Sequence, residues 1–131
     1  MTLNLNEIVS LFVEINGDGK EFKGLLKQKL SMKVKLLIHR LNNAVKDEMK
    51  LYEDLRLELF KKYGDEQKDG HILVAPEKIN DFQNEHSELL ATEKQIDIAT
   101  LWTTPLTIND FEQLETDEYY PTFYKLIDNE K

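Results

Sequence analysis

The chain contains no cysteine, which excludes a disulfide framework, a thiolate metal site and a cysteine nucleophile, and fits a reducing compartment. Proline is confined to Pro76, Pro105 and Pro121, so no proline interrupts a helix from Glu21 to Tyr63. Long apolar runs are missing too: no segment approaches the roughly 20 residues needed to span a bilayer. Met1 to Val13 has neither a basic leader region nor an unbroken apolar stretch, and neither secretion nor membrane insertion is expected. Basic residues are outnumbered, 17 against 25 acidic ones, for a net charge of −8. A field of that sign gives no general affinity for a nucleic-acid polymer. There is no phosphate loop, no GxGxxG, no HExxH, no nucleophile elbow and no EF-hand loop, and the common enzyme classes are set aside with them. The expectation is a protein without catalytic residues, cofactor or metal.

The 131 residues are 40% apolar and 32% charged, which fits one globular domain, residues 1–131, with one core and no need of staples. No internal repeat, low-complexity tract or linker divides it. Leu5, Ile8, Val9, Phe12 and Val13 recur at helical spacing, so residues 4–15 read as a short amphipathic helix ended by Asn16-Gly17-Asp18-Gly19. From Glu21 to Tyr63, Leu26, Leu30, Val34, Leu37, Leu41, Val45, Leu51, Leu55 and Leu59 recur every few residues, the pattern of one long helix. Lys61 and Lys62 suit its carbonyl end, and Gly64 is placed for a left-handed cap. His71 to Ala75 is a short β-prone run closed by Pro76. Beyond it Ile79, Phe82, His86, Leu89 and Leu90 trace a second helix over 77–94, antiparallel to the end of the first. Ile96, Ile98 and Leu101 alternate with polar residues like a half-buried strand, whose expected partner is Ile72 to Val74. Thr107 to Asp110 forms a capping box opening a short helix through Leu114. The fold class expected is mainly α: a helical hairpin led by the long helix, a short amino-terminal helix and a small two-stranded β element.

Charge is distributed unevenly. Residues 20–40 hold Lys20, Lys23, Lys27, Lys29, Lys33, Lys35 and Arg40 against Glu21 alone, while residues 97–131 hold eight acids against Lys125 and Lys131. Concentrated cations in an acidic protein answer to some negative partner. The candidate ligand-binding set is therefore Lys27, Lys29, Lys33, Lys35 and Arg40, converging on a phosphate-bearing ligand with Arg40 as the bidentate member, alone or with copies from a second subunit. The plainer account is that Lys23 and Lys27 complement the acidic stripe Asp81, Glu85 and Glu88 within the fold or across subunits. His39, His71 and His86 fall on separate elements, and only His86 has acids close by, so a metal site is disfavoured. Trp102, Tyr119, Tyr120, Phe123 and Tyr124 form a late aromatic group, read as core or interface ahead of a base-stacking platform.

Several local features run in a familiar order: Leu5-Asn6-Glu7-Ile8 in the opening helix, Lys23-Gly24-Leu25 ahead of the long one, Leu59 to Tyr63-Gly64 before a polar turn, and Phe82 to Glu93 followed by Ile96-Asp97-Ile98. This layout resembles that of small phage-encoded proteins of an uncharacterised family, a domain of unknown function found in tailed phages and prophages. The resemblance implies a phage or prophage origin and a bacterial cytoplasmic location. It carries no functional residue, because that family has no assigned activity. Two functions follow. One is an oligomeric counter-defence protein that sequesters a phosphate-bearing signalling nucleotide or a host factor. The other is a virion tail or neck accessory acting through helix-mediated contacts with a phage or host protein. A homo-oligomer is expected in either case, since a helix of about forty residues would run roughly 60 Å, further than so small a domain covers.

Overall fold

Asn4 turns the chain into its first helix. Its side chain accepts the Glu7 backbone N–H at 2.8 Å while the Glu7 carboxylate accepts the Asn4 N–H at 3.1 Å, so two donors that a helix leaves orphaned are both satisfied. The computed structural model describes residues 2–97, 102, 106–112, 114, 116 and 118–127. Strand β1 (Thr2–Asn4) leads into helix α1 (Leu5–Asn16). The face it buries is Leu5, Ile8, Leu11 and Ile15, rotated from the expected one, because Val9, Phe12 and Val13 are only half-buried.

The long helix starts later than its periodicity predicts. Residues 17–31 are a loop holding one 3-10 turn, Leu25–Lys27, and Ser31 opens α2 (Met32–Tyr63) by accepting the Val34 N–H at 3.2 Å. Leu26 and Leu30 repeat at helical spacing, yet Gly24 stands at φ 87° with its Cα against the backbone of Gly17. A helix through Gly24 would need the opposite sign of φ. At 32 residues, α2 is about 48 Å long. Lys61 and Lys62 occupy its last turn as expected, whereas Gly64 is extended at φ −112° rather than left-handed. It begins a hairpin of β2 (Gly64–Glu66) and β3 (Ile72–Val74), paired antiparallel with Gly64 opposite Val74. A side chain at Gly64 would meet Ile72 and the Phe60 carbonyl, which is the demand glycine meets there.

A 3-10 turn at Pro76–Lys78 precedes α3 (Ile79–Leu90). Phe60 meets Phe82 and Tyr52 meets His86, so α3 runs antiparallel to α2, as the sequence predicts. The second β element differs from expectation. Strand β4 (Glu93–Gln95) pairs antiparallel with β1, Thr2 opposite Gln95, while Ile72 to Val74 pair with β2. Ile98, Thr100 and Leu101 lie outside the described residues. The fold is mainly α, with two small two-stranded sheets among the described residues.

The core lies between α1, the first half of α2 and the carboxy-terminal segment. Val34, Leu37, Ile38, Leu41 and Val45 of α2 meet Ile8, Leu11 and Ile15 of α1, and Trp102, Leu106, Phe111, Tyr120, Phe123, Leu126 and Ile127 close the other side. Trp102 donates its indole N–H to the Leu37 carbonyl at 2.7 Å. The Thr107–Asp110 capping box opens a 3-10 turn, Ile108–Phe111, shorter than the expected helix. A last turn of helix, α4 (Pro121–Tyr124), receives its cap from far away in sequence: the buried Glu14 carboxylate accepts the N–H groups of Thr122 and Phe123 at 3.2 and 2.8 Å. Among the described residues, no buried side-chain polar atom lacks a partner and no helix is long and apolar enough to cross a membrane.

Candidate functional site

Two surfaces stand out, one basic and one apolar. The basic surface begins where the 17–31 loop meets α2. Glu118 ties that loop down: its carboxylate accepts the N–H groups of Lys23 and Gly24 at 2.6 and 3.1 Å, the Gln28 amide at 3.2 Å and the Tyr120 hydroxyl at 3.0 Å. Burial pushes this carboxyl upward, but the Lys23 and Gly24 N–H groups with Tyr120 and Gln28 outweigh it, and the net shift is below the usual 4.5. Burial also pushes the Tyr120 phenol up, with Glu118 adding to the effect.

So anchored, the loop brings Lys27, Lys29 and Lys35 around a shallow concavity of about 560 Å³, floored by Leu30 and Val34 and bounded by Ser31 and Asp110. Lys33 and Arg40 do not join them. Lys35 and Lys33 both sit in the first turn of α2 but point to different sides of it, since residues two apart on a helix do not share a face. Arg40 lies on the outward side of α2, exposed. The five expected ligand residues thus split into a group of three and a group of two. None of the five makes an ion pair or a side-chain hydrogen bond among the described residues. The first turn of α2 carries no acid, so Lys33 and Lys35 stand at the positive end of the helix dipole, where cations are disfavoured and anions are attracted. Within the chain the acidic stripe is not the partner of Lys23 or Lys27, since no ion pair joins them among the described residues. Glu85 pairs within its own neighbourhood, accepting Lys62 Nζ at 3.0 Å through both oxygens. The Tyr63 hydroxyl and Lys62 hold Glu85 below the usual carboxylate range.

The apolar surface belongs to the arm formed by the second half of α2, the β2–β3 hairpin and α3. An aromatic row holds the arm together: Phe82 lies 4.9 Å from Phe60 and 5.8 Å from His86 by ring centres, and His86 Nε2 is 2.9 Å from the Tyr52 hydroxyl. His86, the histidine with acids nearby in sequence, is therefore engaged in packing α3 on α2. Among the described residues no group of three His, Asp or Glu side chains lies close enough together to hold a metal ion. On one side of this row, Leu55, Leu59 and Leu89 line an open groove of about 700 Å³, rimmed by Glu58, Glu85, Glu88, Lys61 and Lys62. From Glu53 to Gln95 no side chain is fully buried.

The late aromatics do not form a stacking platform. Trp102, Tyr120 and Phe123 are within the core, and only Tyr119 stands out in solvent. Glu14, Glu118 and the buried Asn42 escaped the sequence reading. Each is a polar residue whose partner lies far along the chain, and nothing in its immediate neighbours marks it. No protein-family model matches this chain, and neither the curated proteins nor the solved structures contain a match to it.

Proposed function

We propose that this chain is a non-catalytic binding protein that works through protein contacts made by α2 and the arm. The observation that carries the reading is the unbroken absence of buried side chains from Glu53 to Gln95, in a segment that displays Leu55, Leu57, Leu73 and Ile79 to solvent. A stretch of helix and hairpin from Glu53 to Gln95 that secures so little apolar surface for itself fits a role in which a partner covers it. In a phage setting such a protein serves as a tail or neck accessory, or as a cap on a host factor. A photoreactive residue in place of Leu73 on the arm, and another in place of Lys20 on the far loop, tests this in the native host. A discrete heavier adduct from position 73 and none from position 20 is expected. No adduct from the arm would remove the reading.

One observation favours a second reading, sequestration of a phosphate-bearing nucleotide in the bacterial cytoplasm as a counter-defence. Lys27, Lys29 and Lys35 gather at the amino end of α2 with no acid neutralising them in that first turn. Charge-assisted hydrogen bonds from such donors hold phosphate oxygens. Titration with a panel of cyclic and linear nucleotides at low and high salt tests it, with salt-sensitive binding expected.

A further inference from the structure

The outward side of α2, opposite its core face, carries its own order. Lys33, Leu36, Arg40, Asp47, Leu51, Asp54 and Glu58 follow at the three-, four- and seven-residue steps that keep side chains on one side of a helix, and all seven are exposed. Leu36 is 51% and Leu51 56% exposed, with Leu55 beside them at 42% and Met32 at 79%. The charges along this side are segregated. In its first half this side carries Lys33 and Arg40 and no acid; in its second half it carries Asp47, Asp54 and Glu58. One end of the face is basic and apolar, the other acidic and apolar.

We propose that this face of α2 is the seam of a homodimer, in which two copies of α2 lie antiparallel about an axis near Val45. The proposal deepens the reading of the chain as a protein-contact module by naming one occupant of its long helix. An antiparallel pair puts Leu36 of one copy against Leu55 of its partner, Lys33 against Glu58, and Arg40 between Asp54 and Leu51. Two-fold symmetry makes each of these contacts twice, because the same patch serves both subunits. A parallel pair would set Lys33 and Arg40 against their own copies and Asp54 and Glu58 against theirs, which like-charge repulsion disfavours. The small Ala44 stands at the crossing, where two helices approach most closely. The seam runs about 40 Å, and it covers the large exposed side chains Met32, Leu36, Leu51 and Leu55 together. It leaves the Lys27, Lys29 and Lys35 concavity open.

Because the chain has no cysteine, single substitutions report the geometry without background. Leu36→Cys and Leu55→Cys chains mixed and mildly oxidised should give a covalent dimer of twice the 15.4 kDa chain. Either variant alone should give little, because its two cysteines would lie about 28 Å apart in the antiparallel pair. Charge reversal gives an independent reading. Lys33→Glu with Arg40→Glu, and separately Asp54→Lys with Glu58→Lys, should each weaken self-association about tenfold or more. Mixing the two variants should restore a dimer containing one of each. At protein concentrations low enough to dissociate the wild-type dimer, melting curves of the separate variants should match wild type, since every altered residue is exposed. The proposal is overturned if wild type sediments as a monomer at high micromolar concentration, or if either single-cysteine variant cross-links chiefly to itself. It is overturned equally if both charge reversals associate as wild type does. None of these results bears on the adduct expected from Leu73 at the arm, so the dimer and the wider reading fail separately.

Discussion

Asn16 and Asn42 face each other as a reciprocal amide pair: the Asn16 Nδ2 donates to Asn42 Oδ1 at 2.9 Å, and the Asn42 Nδ2 donates to Asn16 Oδ1 at 3.0 Å. The Asn16 amide also donates to the Phe12 carbonyl at 2.9 Å. This pair joins the last residue of α1 to a buried position of α2, where the other buried residues from Val34 to Val45 are aliphatic. Truncating one member removes both reciprocal bonds and leaves the buried Asn42, or the half-buried Asn16, without that partner, at a cost of about 1–3 kcal/mol. Asn42→Ala is expected to lower stability by that much in urea or thermal unfolding. In a double-mutant cycle, Asn16→Ala with Asn42→Ala should cost clearly less than the two single changes summed.

Leu41 and Leu55 both belong to the apolar repeat, but only Leu41 is fully buried; Leu55 is 42% exposed. Leu41→Asp places an unpaired charge in the core and should cost about 3 kcal/mol or more. Leu55→Asp should cost roughly 1 kcal/mol or less in the isolated subunit, and should instead impair self-association. Thermal melts at low protein concentration separate the first effect from the second. Equal losses of melting temperature would make Leu55 as much a part of the core as Leu41.

The same contrast shows what the sequence makes legible. Period and polarity locate α1, α2 and α3, and the capping box of Thr107 and Asp110 is read directly from its spacing. The start of α2 is hidden because Leu26 and Leu30 continue the helical repeat across a loop, and only the positive φ of Gly24 and the Ser31 cap break it. Strand pairing is hidden for another reason: β1 and β4 hold three residues each, too few to show a period. The basic set is legible as a composition but not as a site. Spacing along the chain groups Lys33 and Arg40 with Lys35, whereas helix geometry turns them to a different side. Glu118 and Glu14 act across 90 residues or more, a separation at which no local pattern exists.

Trp102 is the only tryptophan and is buried, with its N–H on the Leu37 carbonyl. Its fluorescence should therefore be blue-shifted in the folded chain and move to the red in a single step with unfolding. Trp102→Phe keeps most of the packing and removes the hydrogen bond, which should cost about 1–2 kcal/mol. Urea unfolding followed by circular dichroism checks it. A loss below a few tenths of a kcal/mol would mean that water replaces the protein partner.

Acid should loosen the 17–31 loop before it unfolds the core. At Glu118 burial acts upward and is outweighed by the Lys23 and Gly24 N–H groups; at Glu7 the Asn4 N–H lowers the carboxyl, aided by Lys125. A carboxyl depressed in the folded state contributes stability that is complete above its unfolded value and is lost as pH falls through the folded one. Both contributions should therefore be intact at neutral pH and fade as pH drops below about 5. Glu118→Gln should lower stability at pH 7, and its deficit against wild type should narrow toward acid. A constant deficit across that range would mean that the Glu118 charge adds nothing to its hydrogen bonds.

The division of the five basic residues into two groups gives the last prediction. Lys27, Lys29 and Lys35 surround one concavity, whereas Lys33 and Arg40 lie on the outward side of α2. If the concavity holds a phosphate group, Lys27→Ala, Lys29→Ala and Lys35→Ala together should abolish nucleotide binding and leave the dimer intact. Charge-assisted bonds need those donors, and exposed lysines add little to folding. Lys33→Ala with Arg40→Ala should do the reverse, weakening the dimer while nucleotide affinity holds. Sedimentation and calorimetric titration of both variants, at low and high salt, read the two properties separately. If either variant loses both properties together, the basic segment acts as one surface and the helix does not divide its work between two sides. If the triple variant keeps its dimer and wild type binds no nucleotide, the three lysines are solvated charge and the protein-contact reading stands alone.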